Sequence, residues 1–249
     1  MLQKLIREYG EKYDYLLYGR DVISNWCRTF INESNHDDFK ILDIGCGKGD
    51  DLLQIKNVIK DKNLDLHGLE IYSPYEKIAR KEGIKTISID IEKDAIPFEN
   101  EYFDIIIANQ IIEHAKEIFW IFSEISRLVK KDGIVIVGFP NLLSLHNRLI
   151  VLLGEQPPTI ELLGAHIRSL SAPSFKRFVE MEGYFKVLEI AGSNFYPFPP
   201  KISIPLSKIF PKLSVCLFFL IKRQNKDGNF IEVLNSRFYE TPFFRGNFQ

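Results

Sequence analysis

Cysteine is scarce in this sequence. Cys27, Cys46 and Cys216 are its only three among 249 residues, far apart and in no CxxC pair. That excludes a disulfide framework and a cysteine-based zinc site. An excess of either charge is also missing: 32 lysines and arginines face 33 aspartates and glutamates, a net −1. A protein built mainly for nucleic acid carries a basic surplus, so no nucleic-acid partner is expected. Long apolar runs are absent too. Leu213–Ile221 is too short to cross a bilayer as a helix, and the charged first twenty residues have no signal-peptide core. The expectation is a reducing, cytoplasmic setting with no transmembrane segment. The five histidines show no HxxxH spacing, and no metal site is expected.

What is present is an alternation of strand and helix patterns. Phe39–Gly45 is a continuous apolar run with one embedded carboxylate, as in a strand buried on both faces. Asp50–Lys60 has helical apolar spacing with carboxylates in its first turn. Leu64–Ile71 reads as a strand, Ser73-Pro74 opens a helix, and Ile84–Ile91 alternates as a third strand. Tyr102–Gln110 is a fourth strand, Ala115–Lys130 an amphipathic helix stopped by Lys131-Asp132-Gly133, and Ile134–Pro140 a fifth strand. Such alternation is the sequence form of an α/β doubly wound, Rossmann-like parallel sheet with helices on both faces.

After Pro140 the rhythm breaks. Residues 172–183 read as a helix, and two strands follow at 184–192 and 213–223. The stretches 141–172 and 195–212 are irregular yet apolar, the second proline-rich, and are expected to cap the sheet. The division expected is an N-terminal helical segment (1–38), a core with two cap insertions (39–223) and a C-terminal tail (224–249).

The segment "KILDIGCGKGDDLL" (Lys40–Leu53) carries three close glycines, Gly45, Gly47 and Gly49, between a strand and a helix. A triphosphate loop would need a Gly-Lys-Ser/Thr ending, whereas here Lys48 lies between two glycines and Asp50 follows. A dinucleotide turn has the spacing G-x-G-x-x-G and receives a pyrophosphate. This turn is one residue shorter and leads into Asp50-Asp51, which would repel phosphate. Glu70 ends the second strand twenty-one residues after Gly49, where a carboxylate can accept from both ribose hydroxyls. A ribose, no phosphate and a net positive charge describe S-adenosylmethionine. Asp90 ends the third strand, in reach of the adenine amino group, and Asn109 ends the fourth, beside the methionine part.

"ILDIGCGKG", Glu70, "IDI" at 89–91, "FDIIIANQIIEH" and "LVKKDGIVIVGFPN" together resemble the successive motifs of class I S-adenosylmethionine-dependent methyltransferases. The branch most resembled accompanies bacterial surface-polysaccharide (capsule or O-antigen) biosynthesis. The likeness covers 39–141 well and later residues loosely. It implies a seven-stranded sheet whose last strand is antiparallel. It further implies that Gly45, Cys46, Gly47 and Gly49 shape the donor loop and that Asp43 orients it. By the same likeness Glu70 binds ribose, Ile71 packs on adenine, Asp90 and Ile91 frame the adenine edge, and Asn109 and Gln110 line the methionine end near His114. Tyr15 or Tyr18 would close over the donor. S-adenosylhomocysteine would be the product.

For the acceptor side the sequence offers His114, His146, His166, Arg148 and Arg168. His166, Arg168 and His114 are the expected catalytic set: a general base for a hydroxyl, or cations clamping an anionic oxygen. The acceptor expected is a small molecule or glycan precursor, through a sugar hydroxyl or a phosphate or phosphoramidate oxygen. Phe195, Tyr196, Phe198 and Phe210 keep a quinone or lipid-like acceptor open. An NAD-dependent oxidoreductase and a non-catalytic donor-binding module are the readings from other classes. His36 and His67, without partner patterns, are expected to be structural.

Overall fold

The computed structural model describes residues 19–234. Tyr15 and Tyr18 lie outside the described residues. The chain runs α1 (Arg20–Glu33), β1 (Asp38–Ile44), α2 (Asp50–Val58), β2 (Asn63–Leu69), α3 (Ser73–Lys81), β3 (Lys85–Ile87) and β4 (Phe103–Asn109). It continues with α4 (Ile118–Leu128), β5 (Val129–Pro140), α5 (Leu145–Leu152), α6 (Ala172–Val179), β6 (Phe185–Ser193), α7 (Pro200–Ile209) and β7 (Cys216–Arg223). The seven strands form one sheet in the order β3-β2-β1-β4-β5-β7-β6. Pairing is parallel from β3 to β5, and β7 runs antiparallel to both β5 and β6. This is the seven-stranded, Rossmann-like sheet the sequence led us to expect.

Strand alternation divides the core between two faces. Ile106 and Ala108 of β4, with Val135, Val137 and Phe139 of β5, point to one side, against α4 and α6. Ile105, Ile107, Ile134 and Ile136 point to the other, against α1 and α2. Both faces are covered, so the central strands read as continuous apolar runs.

Four local expectations need correction. The third strand is only Lys85–Ile87, at the sheet edge, because the chain turns at Asp90, whose carbonyl accepts from the Lys93 and Asp94 amides. Helix α4 starts at Ile118, after a 3-10 turn at Ile112–His114. Lys131-Asp132-Gly133 does not stop that helix: it ends at Leu128, and β5 already begins at Val129, paired with Phe103 across a bulge. Within 195–212 the structure has a regular helix, α7, with Pro200 in its first turn, where a missing N–H is harmless.

Beyond β7 a 3-10 turn, Phe230–Leu234, buries Phe230, Val233 and Leu234 in the main core. The Phe230 ring packs among Phe119, Phe122, Phe178 and Phe185, and its amide donates to Ser126 Oγ at 3.0 Å. Arg223, also buried, donates to the carbonyls of Ser126, Tyr184, Gln224 and Lys226. Residues 224–234 therefore close one end of the core. Phe230→Ala should cost about 3–5 kcal/mol, read as a lower denaturation midpoint in urea. An unchanged midpoint would show that this turn does not lock the core.

Candidate functional site

β1, β2 and β4 end side by side, and the loops that follow them build a crevice. A cavity of about 290 Å³, on the scale of a small-molecule site, is lined by Gly45, Glu70, Ile71, Asp90, Ile91 and His114, with Leu69, Ile89, Glu92, Ile111 and Ala115. It opens where parallel α/β sheets bind ligands, outside the carboxyl ends of strands.

The glycine turn forms its floor. The Gly45 and Cys46 amides donate to Leu69 O, which ties the turn to β2. Gly49 has φ +88°, and a Cβ there would lie 2.1 Å from Ile84, so both backbone and packing require glycine. Gly47 also has positive φ, but a Cβ there would meet nothing within 4 Å. Its surroundings leave room for a ligand to approach the backbone. Glu70 fastens the turn from the next strand end: Oε2 accepts the Gly47 amide at 2.9 Å and Oε1 the Tyr72 amide at 2.6 Å.

Negative charge gathers behind this turn. Asp43 is buried, and its carboxyl is pushed well above the usual range, first by burial and then by the charges of Asp51 and Glu70. Asp51, largely buried in the first turn of α2, is likewise raised by burial; Asn109 and Arg20 oppose the shift. Asn109 Nδ2 donates to Asp51 Oδ2 at 2.8 Å, and Arg20 lies 2.9 Å from Asp50 and 3.2 Å from Asp51. A pyrophosphate would add negative charge to this set. A cationic ligand would relieve it. The residues therefore fit S-adenosylmethionine better than a dinucleotide.

The other predicted donor residues are placed as follows. Ile71 lines the cavity and is 65% exposed, while Ile91 is partly buried against the core. Asp90 is held below its usual pKa by Lys93, 2.8 Å away, and by the Glu92 amide. Cys46 is buried, and burial together with Asp43 and Glu70 pushes its thiol up, so it packs as an inert small residue against Gly68. Gln110 has φ +56° and a buried Nε2 with no hydrogen-bond partner among the described residues. A non-glycine residue in that region is strained, and such strain clusters at ligand sites.

His114 and His166, 52 residues apart in sequence, come together with ring centroids 4.9 Å apart. The Ile167 and Arg168 amides donate to Glu113 O, so the cap segment docks directly on the Ile112–His114 turn. The Arg168 guanidinium donates to the carbonyls of Ala115 (3.4 Å) and Lys116 (3.0 Å), and Arg148 Nε to Leu143 O. Both arginines thus hold backbone: Arg168 ties its segment to the loop before α4, and Arg148 bonds within its own segment. His146 is held down to about 4 by burial, its ring 5.4 Å from Tyr196. The 195–212 segment is not among the residues lining the donor crevice. α7 instead lines a separate cavity of about 660 Å³ with α1 and β6, built by Trp26, Glu189 and Ser203 among others. His67 packs among Phe98, Tyr102 and Phe103, a structural setting.

Two site residues escaped sequence reasoning. Glu92 Oε2 accepts the Lys116 and Glu117 amides at 2.8 and 3.0 Å, tying the Asp90 loop to the start of α4. Glu113 is 3% exposed, neither carboxylate oxygen has a hydrogen-bond partner among the described residues, and burial pushes it up to about 7. The sequence signal for Glu113 was its place beside His114 after the fourth strand. An acid next to a histidine is too common to single out without burial.

Among the described residues no helix is long and apolar enough to cross a membrane. Comparison with known proteins gives the fold a context. Over 142 residues the chain is 27% identical to the ubiquinone/menaquinone biosynthesis C-methyltransferase UbiE of Campylobacter jejuni, covering 55% of this chain. The chain spans only 60% of that relative's length. Among solved structures, the CurJ carbon methyltransferase superposes with TM-score 0.61 at 15% identity, over 89% of this chain and 58% of that one. A possible histamine N-methyltransferase from Thermotoga maritima superposes with TM-score 0.57 at 18% identity, over 89% of this chain and 97% of that one. These likenesses establish the class I methyltransferase fold. The family described as methionine biosynthesis protein MetW matches residues 28–187, more than half of the sequence, and the chain belongs to that family.

Proposed function

We propose that the protein is an S-adenosylmethionine-dependent methyltransferase acting on a small molecule with an apolar body. The observation that carries the donor half is the acidic set of buried Asp43 and Asp51 with half-buried Glu70, behind a glycine turn open at Gly47. When bound, the donor supplies a methyl group already activated on a sulfonium. The chain's part is to hold and align. Glu70 offers carboxylate oxygens to the ribose, Ile71 and Ile91 flank the base, Asp90 faces its edge, and Asp43 with Asp51 balances the positive charge. Alignment of this kind contributes about 7–11 kcal/mol in favourable cases.

The apolar acceptor rests on the cap. Arg148 and Arg168 are tied to backbone carbonyls, which weakens the case for an anionic oxygen. The same segment exposes Leu149, Leu152, Leu153, Leu162 and Leu163. The surface-polysaccharide branch finds no counterpart in the names of the relatives above, and the quinone-type relative supports the lipid-like alternative. The family's name favours a second acceptor reading, an intermediate of methionine biosynthesis. Methyl transfer from labelled donor to a quinone precursor, a nucleotide sugar and a methionine-pathway thiol separates these. Label in the nucleotide sugar alone would refute an apolar acceptor.

Donor binding has two checks. Glu70→Ala should weaken S-adenosylmethionine binding by roughly 10–150-fold, the value of about 1.5–3 kcal/mol for a charged hydrogen-bonding group. Calorimetry showing full affinity in this variant would remove Glu70 from the donor site. The second check is pH. A cation beside Asp43 favours its ionised form, so binding lowers a raised pKa and releases a proton. Affinity should therefore tighten as pH rises through Asp43's elevated range and lose that slope in Asp43→Asn. Identical pH slopes in both proteins would exclude Asp43 as the coupled group.

A further inference from the structure

Glu113 poses a problem that the donor site does not solve. A carboxylate so buried normally has partners, because an unpaired charge away from water is costly. Here both of its oxygens lack a hydrogen-bond partner among the described residues. Two imidazoles stand beside it. His114 Nε2 lies 3.9 Å from Glu113 Oε1, and one ligand atom from each of Glu113, His114 and His166 falls within 4.8 Å of the others.

The histidines are oriented as ligands are. His114 Nδ1 is 3.0 Å from Ala165 O. A carbonyl only accepts, so Nδ1 carries the proton and Nε2 presents a lone pair toward Glu113. His166 makes its own hydrogen bond with the Thr159 backbone. Metal-binding histidines typically fix their tautomer through such an outer contact. The Glu113 carbonyl, by accepting from the Ile167 and Arg168 amides, sets the spacing between the two segments.

We propose that Glu113, His114 and His166 form a site for a first-row divalent cation, zinc in the first instance, at the wall of the crevice. Two imidazoles and one carboxylate are a catalytic zinc donor set that leaves a position open for a further oxygen ligand. Zinc ligands sit about 2.0–2.2 Å from the ion. The cluster therefore has to contract slightly, by rotation of the partly exposed His166 ring. His114 also lines the donor cavity, so an oxygen bound at the open position would lie beside the donor. Resting on the methyltransferase reading, this narrows the acceptor to one with a metal-binding oxygen, such as a phenol or enol. The site joins residues 52 positions apart in sequence, which is why histidine spacing gave no metal pattern.

The test is equilibrium dialysis of the full chain against Zn²⁺ and against Co²⁺, the latter read by its visible absorption, with no donor present. The expected result is a single ion per chain, with affinity lowered more than about tenfold in Glu113→Gln and in His166→Ala. His166 is partly exposed, so His166→Ala stays informative if the buried variant misfolds. No stoichiometric ion in the wild type, or an ion held equally by both variants, overturns the site. S-adenosylmethionine calorimetry on the same wild-type samples separates the two readings: donor binding without cation binding refutes the metal site alone. Cation binding without donor binding supports the site and refutes the donor reading.

Discussion

The parallel pairing of β1 between β2 and β4 decides where everything else can sit. Ile41 lies opposite both Leu66 and Ile105, so the three strands run in step and end at the same level. Because each is buried on both faces, its only outlet is its carboxyl end. The glycine turn, Glu70 and Asn109 all stand at that edge. The link from Gly45 and Cys46 to Leu69 O, and from Gly47 to Glu70, then makes two strand ends one rigid floor. Without that register the acidic residues would lie on separate loops, and Asp51 and Glu70 would not raise Asp43.

The core strands and the crevice at their carboxyl ends were legible in the sequence because their signals are local. A buried strand is a contiguous apolar run, and a glycine turn followed by Asp50-Asp51 states its own charge. Glu70 was found by counting along one βαβ unit. The readings that failed depend on contacts across the chain. β3 stops after three residues because Asp90 finds Lys93 and Asp94 as turn partners, although Ile84–Ile91 alternates like a longer strand. Nor does sequence order show that the Arg168 guanidinium bonds carbonyls 52 and 53 residues away. Phe230 sits in a polar stretch, so only packing reveals it as core.

The cap is held to the core chiefly through backbone. Glu113 O, Ala115 O and Lys116 O accept from residues 167 and 168, and Asn141 Nδ2 donates to the carbonyls of Lys212 and Ser214. Such bonds depend little on side-chain identity at the acceptor end. They allow the exposed face of that segment to vary in composition while its docking on the Ile112–His114 turn stays fixed. Specificity for an acceptor would then reside in the exposed leucines and donor specificity in the sheet edge, two regions that meet at the Ile112–His114 turn.

That turn is where the electrostatics become asymmetric. On the donor side, burial and the charges of Asp51 and Glu70 raise Asp43, while Arg20, Asn109 and backbone amides share the charge. On the cap side, Glu113 has burial without comparable help, and its carboxyl rises on desolvation alone. A fold tolerates such a group only if something neutralises it, a proton in the free chain or a cation held with it. Because the two acidic centres flank one crevice, a positively charged donor and a cation-bound oxygen would approach from opposite walls. Repulsion between those positive charges would be offset only while both carboxylate sets remain ionised. Positive charge bound beside either raised carboxyl favours its ionised form, so occupancy of each wall should strengthen as pH rises.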